Sequence, residues 1–344
     1  MTARLRSPRI NSWCGWDPLE EVWVGRHVDP DFFNTIQERQ IREPLKRIAQ
    51  ETEEDYQSLI KILKDYGVNH ILRPEFLKGS RFGEDRPSHA TNPRDHHFVY
   101  GNTLYRFENK PCYDTLYNEY KIQGEDVFDP YLKNLETMIS DKLPAPQCVR
   151  FGDAILVDRL ERNHKDWFKN QFKDVKIFVS AFGGHSDGVF CPVKAGLIVT
   201  TYDYKLALKD KIFKNWEFVY TVNNSWEQVK LIDHKINSML QKTKNRWYIE
   251  NEEDNNELIN FVDKYLDSWV GYCAESVFDV NMLVLDQNNV IVNSYNKKIF
   301  DTFKKHKIEP IICNLRHRFF WDGGLHCNTL DIRRNGKKQR YLNF

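Results

Sequence analysis

Residues 277–313 read VFDVNMLVLDQNNVIVNSYNKKIFDTFKKHKIEPIIC. This stretch holds one complete folding unit. VFDVNMLVLD (277–286) predicts a strand, DQNN (286–289) carries turn chemistry, and VIVN (290–293) resumes extended chain. NKKIFDTFKKHK (296–307) then places Ile299, Phe300 and Phe303 on one helical face. IEPIIC (308–313) closes the unit with a further strand. The order is hairpin, helix, strand.

The same grammar recurs upstream. CVRFG and DAILV (148–157) flank a Gly-Asp turn, with a short helix over 164–172 and the strand VKIFVS (175–180) behind them. GVFCPVKAGLIVT (188–200) and HFVYGNTLYRF (97–107) read as further hairpins. The first copy runs from WVG (23–25) through a helix over 52–66 to VNHILR (68–73). Thr52 and Asp55 offer that helix a capping box, Tyr56, Leu59, Ile60 and Leu63 face inward, and Gly67 stops it. Five ββα or ββαβ units are therefore expected. None can bury its sheet alone, so they should pack into one body; an ordinary α/β sheet of irregular spacing is the alternative. A single domain over 1–344 follows, with residues 1–10 expected to be flexible. Two charged, poorly periodic stretches, 34–47 and 241–257, read as surface insertions.

Composition narrows the class. Lysine and arginine number 50 against 49 acids, so no long-range field favours nucleic acid or a membrane surface. Aromatics at 14% argue against disorder. Seven scattered cysteines, an odd number with no CxxC, predict free thiols in a reducing compartment. The first residues lack the apolar core of a signal peptide, and no run reaches membrane-spanning length, so a cytoplasmic protein is expected.

Three stretches carry chemistry. In GGLHCNTLDIRR (323–334), two glycines precede Cys327, where the backbone can pass close to a ligand, and His326 supplies a candidate cation to favour a thiolate. A buried small hydrophobe is the plainer reading of that cysteine. In GGHSDGVF (183–190), His185 and Asp187, two apart in extended chain, would face the same side and form an acid/base pair. In ATNPRDHH (90–97), Asp95 follows an X-Pro turn and opens a strand, where a carboxylate is readily presented to a cleft. His96 and His97 would face opposite sides of that strand. No spacing supplies a third and fourth metal ligand. A thiol and two carboxylates suit a planar guanidinium: carboxylates grip its N–H fork and a thiolate attacks its central carbon.

The sequence resembles the glycine and inosamine-phosphate amidinotransferases. NSWCGWDPLEEVWVG (11–25), NPRDHHFV, GHSDGVFCPVKAGLIVT and GGLHCNTLDIRR are similar to family motifs and stand in the same order. The resemblance implies a five-bladed α/β propeller with its site on the central axis. It implies Cys327 as nucleophile, His185 as general acid/base, Asp187 as partner of His185 and of the guanidinium, and Asp95 as a guanidinium-binding carboxylate. The implied reaction moves an amidino group from a guanidino donor, usually arginine, to an amine acceptor through an amidino-cysteine. It needs neither metal nor organic cofactor, and the family analogy allows a homodimer. The chain departs from the family in two motifs. Its FDAAD-like run, aligned on VRFGDAILV, meets Pro144 and Gln147, which leaves Asp153 as a candidate replacement if the hairpin is altered. Its donor-carboxylate arginine meets Tyr204, with Lys205 or Lys209 as substitutes. A guanidine hydrolase and a propeller retained as a binding module are the alternatives.

Overall fold

The computed structural model describes residues 9–75, 82–83, 90–107, 110–128, 145–158, 162–180, 185–201, 212–221, 234–270, 280–321 and 323–343, with backbone alone at 162–165 and 234–237. The described strands form five three-stranded sheets. In chain order they are β1 (Leu19–Val24), β2 (His70–Leu72), β3 (His97–Tyr100), β4 (Thr103–Arg106), β5 (Asp126–Phe128), β6 (Cys148–Arg150), β7 (Ala154–Asp158), β8 (Lys176–Ser180), β9 (Phe190–Lys194), β10 (Leu197–Thr200), β11 (Glu217–Tyr220), β12 (Leu283–Val284), β13 (Asn289–Val292), β14 (Glu309–Ile312) and β15 (Thr329–Arg334).

Four sheets are local: an antiparallel hairpin, then a third strand laid parallel to the second. The fifth is composite. β1 pairs parallel with β2 and antiparallel with β15, so the last strand completes the first blade. This is a five-bladed α/β propeller, as the repeated hairpin, helix and strand predict. Glycine makes three of the hairpins possible. Gly101, Gly152 and Gly196 sit at φ of 61°, 69° and 88°, where other residues are strained. Gly152 is required twice over, since a Cβ there would lie 2.1 Å from the Gln339 carbonyl oxygen.

Two expectations fail, for physical reasons. The first long helix spans Arg39–Asp65, starting well before position 52. Thr52 is not its cap: it lies mid-helix, buried, and donates to the Ile48 carbonyl. Pro44 sits inside this helix. Proline has no N–H for the carbonyl four residues back, and that carbonyl, of Gln40, instead accepts from Asn255 Nδ2 at 2.7 Å. The stretch 34–47 is therefore largely helix, with Ile41 and Leu45 in the core.

The second is 241–257, which is no free surface loop. Trp247 and Ile249 are fully buried among Leu45, Ile48, Leu258 and Phe320. Between the helices His234–Lys242 and Asn256–Tyr265, this segment builds a helical layer onto the first blade's helix. At the N-terminus, Arg9 pairs with Glu21 and Ile10 is fully buried, so the expected flexibility does not extend to them. Among the described residues, no helix is long and apolar enough to cross a membrane.

Candidate active site

The strand β15 carries the hub of the ring. Asp331, fully buried, pairs with Arg94 at 2.8 Å, with Arg150, and with Arg334 Nε at 2.5 Å. Arg334 also donates to the carbonyls of Asp17 and Val284. One carboxylate thus ties three buried guanidiniums drawn from three blades, and they hold its acidity well below the usual range against the opposing effect of burial. Arg94 reaches further: its Nε donates to the carbonyls of His326 at 2.9 Å and Thr329 at 3.0 Å. The turn before β15, which bears Cys327, is clamped from below.

The glycines of GGLHC do their work here. A Cβ at Gly323 would lie 2.4 Å from Asn92 Oδ1 and 2.8 Å from Asn328 Nδ2. One at Gly324 would lie 2.8 Å from Asn281 Oδ1. Both glycines let amide side chains close on the turn.

Cys327 is buried, and polar groups surround its sulfur. Sγ lies 3.1 Å from Asp187 Oδ2 and accepts from Asn281 Nδ2 at 2.9 Å. The same Asp187 oxygen stands 3.0 Å from His326 Nδ1. Asp187 Oδ1 is buried and has no hydrogen-bond partner among the described residues. Burial alone would raise the Asp187 carboxyl, but the hydrogen bond from His326 and the neighbouring imidazoles outweigh it and bring it to about 2. Burial, reinforced by Arg94, takes His326 down to about 4. At neutral pH His326 is therefore an uncharged imidazole whose Nδ1–H donates to an anionic Asp187, and not the cation expected from sequence. Burial and the charges of Asp187 and Asp95 push the Cys327 thiol well up. The resting sulfur is protonated and donates to Asp187.

The residues expected from sequence fall into three groups. Cys327 and Asp187 meet directly, and Asp95 lies close enough for its charge to act on the thiol. Asp95 sits in a helical turn, Pro93–His96, rather than opening a strand. His185 precedes the helical turn Ser186–Val189 and is exposed, whereas Asp187 within that turn is buried. The pair does not share a strand face, although His185 acts electrostatically on Asp187.

Asp153 is a correction. It occupies the far turn of the β6–β7 hairpin, paired with Arg340 at 3.1 Å, and its N–H donates to the Gln339 carbonyl. Gln147, whose carbonyl accepts from Ser186 Oγ, marks the site's end of that hairpin. The five intervening residues of extended chain span roughly 16 Å, so Asp153 cannot stand in for the family aspartate. Pro144, Tyr204, Lys205 and Lys209 lie outside the described residues.

Sequence reasoning missed Arg94 and Asn281. The second had a signal: a polar amide inside the apolar run VNMLVL. Behind Asp187, a cavity of about 50 Å³ runs among Arg94, Arg150, Arg334 and Met282, room for a few water molecules. Among the described residues, no cluster of three or more His, Cys, Asp or Glu side chains is arranged to hold a metal ion.

Ring and site together define a class: α/β propellers in which a buried cysteine, beside a carboxylate, stands in the turn that leads into the strand completing the first blade. The relatives carry this further. Mitochondrial glycine amidinotransferase of Xenopus laevis is 24% identical, over 99% of this chain and 86% of that protein. Inosamine-phosphate amidinotransferase 1 of Streptomyces griseus is 24% identical over 94% of this chain and 96% of its own length. A shorter match, 36% identical over 76 residues (22% of this chain and 21% of the relative), is to L-arginine:L-lysine amidinotransferase of Pseudomonas savastanoi pv. phaseolicola. Among solved structures, the amidinotransferase SxtG of Microseira wollei shares the fold at a TM-score of 0.66 and 20% identity, covering 97% of this chain and 99% of that one. No family model matches the chain. In sequence, over nearly its full length, and in fold, the chain is similar to these amidinotransferases.

Proposed function

We propose that this protein transfers an amidino group from a guanidino donor, arginine in the first instance, to an amine acceptor through an amidino-Cys327 intermediate. One observation carries the reading: the buried Asp187 shares one oxygen with the Cys327 sulfur, and its other oxygen, Oδ1, has no partner among the described residues. Such an oxygen suits a guanidinium N–H, and accepting it brings the central carbon up to Sγ.

Substrate charge then switches the thiol on. The carboxylates that hold the sulfur protonated are the groups a guanidinium would neutralise. A unit charge about 4 Å away contributes roughly 4 kcal/mol at an effective dielectric constant of 20, worth about three pH units of thiol acidity. The thiolate attacks the guanidinium carbon and a C–S bond forms. The C–N bond to the donor's amine breaks, and the thiol's proton ends on that amine, carried by His185. The amidino-cysteine retains the positive charge. An acceptor amine reverses the sequence: its nitrogen attacks, the electron pair of the C–S bond returns to sulfur, and the amine's proton restores the thiol.

The test is intact mass after incubation with arginine. Wild type should gain the mass of one amidino group, mapped to Cys327 and discharged by a competent amine, while Cys327→Ser gains nothing. Citrulline released without any acceptor would point to a hydrolase instead. No adduct with any guanidine, together with capture of a partner protein, would overturn the enzymatic reading.

A further inference from the structure

We propose that Asn281 is a catalytic residue of this site: its carboxamide is the fixed donor that receives the sulfur's negative charge, and its oxygen sets the aim of the nucleophile turn. The proposal rests on the reading of Cys327 as nucleophile.

Asn281 is 1% exposed. Its Oδ1 accepts two backbone N–H groups, from His326 at 2.8 Å and Cys327 at 3.1 Å. Only the oxygen of a carboxamide can accept them, so the orientation of the amide is set by chemistry. Nδ2 must then face Sγ, at 2.9 Å. The residue is itself held, since Asn293 Nδ2 donates to its backbone carbonyl at 2.8 Å. Gly324 leaves the space for this approach, as a Cβ there would press on Asn281 Oδ1 and Cβ.

The two polar partners of Sγ have opposite preferences. Asp187 can only accept, so it favours S–H. Asn281 Nδ2 can only donate, so it favours the thiolate, and it works against burial in setting the sulfur's acidity. Once a guanidinium occupies Asp187, the Asn281 donor is what remains for the anion. It serves both half-reactions: the sulfur carries the attacking electron pair in the first and regains that pair when the C–S bond breaks in the second.

The experiment follows the pH dependence of Cys327 alkylation by iodoacetamide, read on the Cys327 peptide by mass spectrometry with Cys327→Ser as blank. Asp187→Asn serves as background, because removing that charge brings the sulfur's titration into an accessible range. Adding Asn281→Ala should move the midpoint upward, cutting the rate below the midpoint about 10- to 100-fold while the high-pH plateau changes little. A lowered plateau with an unmoved midpoint would show a merely structural role and overturn the proposal. Should the Ala variant fail to fold, Asn281→Asp keeps both backbone N–H partners and removes the donor, and an unmoved midpoint there is equally fatal. Alkylation involves no amidino transfer. A shifted midpoint in a protein that forms no adduct with any guanidine would sink the proposed function, and with it the catalytic role, and leave standing only Asn281 as the donor to the Cys327 sulfur.

Discussion

One oxygen, Oδ2 of Asp187, is shared by a thiol and an imidazole, and substitutions there should pull two activities apart. Asp187→Asn removes a charge that holds the thiol protonated, so Cys327 should alkylate faster, about tenfold or more at neutral pH. The same change removes the negative charge and one of the two accepting oxygens proposed to grip the guanidinium, and should lower amidino-adduct formation at least about 100-fold. Parallel alkylation and intact-mass assays check both; a loss of both together would mean Asp187 serves only the fold. His326 gives a pH signature. Burial places its folded value, about 4, below the ordinary 6.5. Between those values the unfolded chain binds more protons, so stability falls as pH drops from 6.5 towards 4. The loss of Tm from pH 7 to pH 5 should be smaller in His326→Gln than in wild type. His97 and His317 are depressed by burial in the same direction, and their effect cancels in that comparison.

At the scale of single elements, legibility followed the range of the interactions. Hairpins were readable because glycines at positive φ and alternating apolar residues act within ten residues of chain. The helix 39–65 was half hidden because Pro44 reads as a helix breaker, while the carbonyl it leaves free is met by Asn255, more than two hundred residues away. The segment 241–257 looked polar because its two anchors, Trp247 and Ile249, are outnumbered by charges. Trp247→Ala should cost about 3–5 kcal/mol in urea unfolding, a result no solvated loop would give. Asp153→Ala should leave amidino transfer within about twofold of wild type, since its partner Arg340 is largely exposed and such a pair contributes about 1 kcal/mol at most. Of the candidate site, Cys327, Asp187 and Asp95 were legible from motifs. Arg94 and Asn281 were missed, because each reaches the Cys327 turn across a blade boundary; a polar amide in an apolar run marked Asn281, but spacing within one strand does not say what it meets.

For the whole molecule, the decisive group is Asp331. It balances three buried arginines with one carboxylate, and a buried charge stripped of its partner is far costlier than the pair is worth. Asp331→Asn should destabilise the ring by about 3–5 kcal/mol, seen as a lowered urea midpoint. A midpoint within experimental scatter of wild type would show that the blades hold together without the hub. The five-sheet plan itself was expected from repetition, but the composite first blade was not, since its strands β1 and β15 come from opposite ends of the sequence.

That seam ties chemistry to completeness. The Cys327 sulfur, the proposed nucleophile, stands two residues ahead of β15, in a turn shaped by contacts with Arg94, Asn92 and Asn281 from other blades. A circle still gaping at that point has every blade motif but no assembled nucleophile. Partly folded or mispaired chains should accordingly be chemically silent, and the appearance of a guanidine-reactive thiol would report that the last gap in the circle has shut.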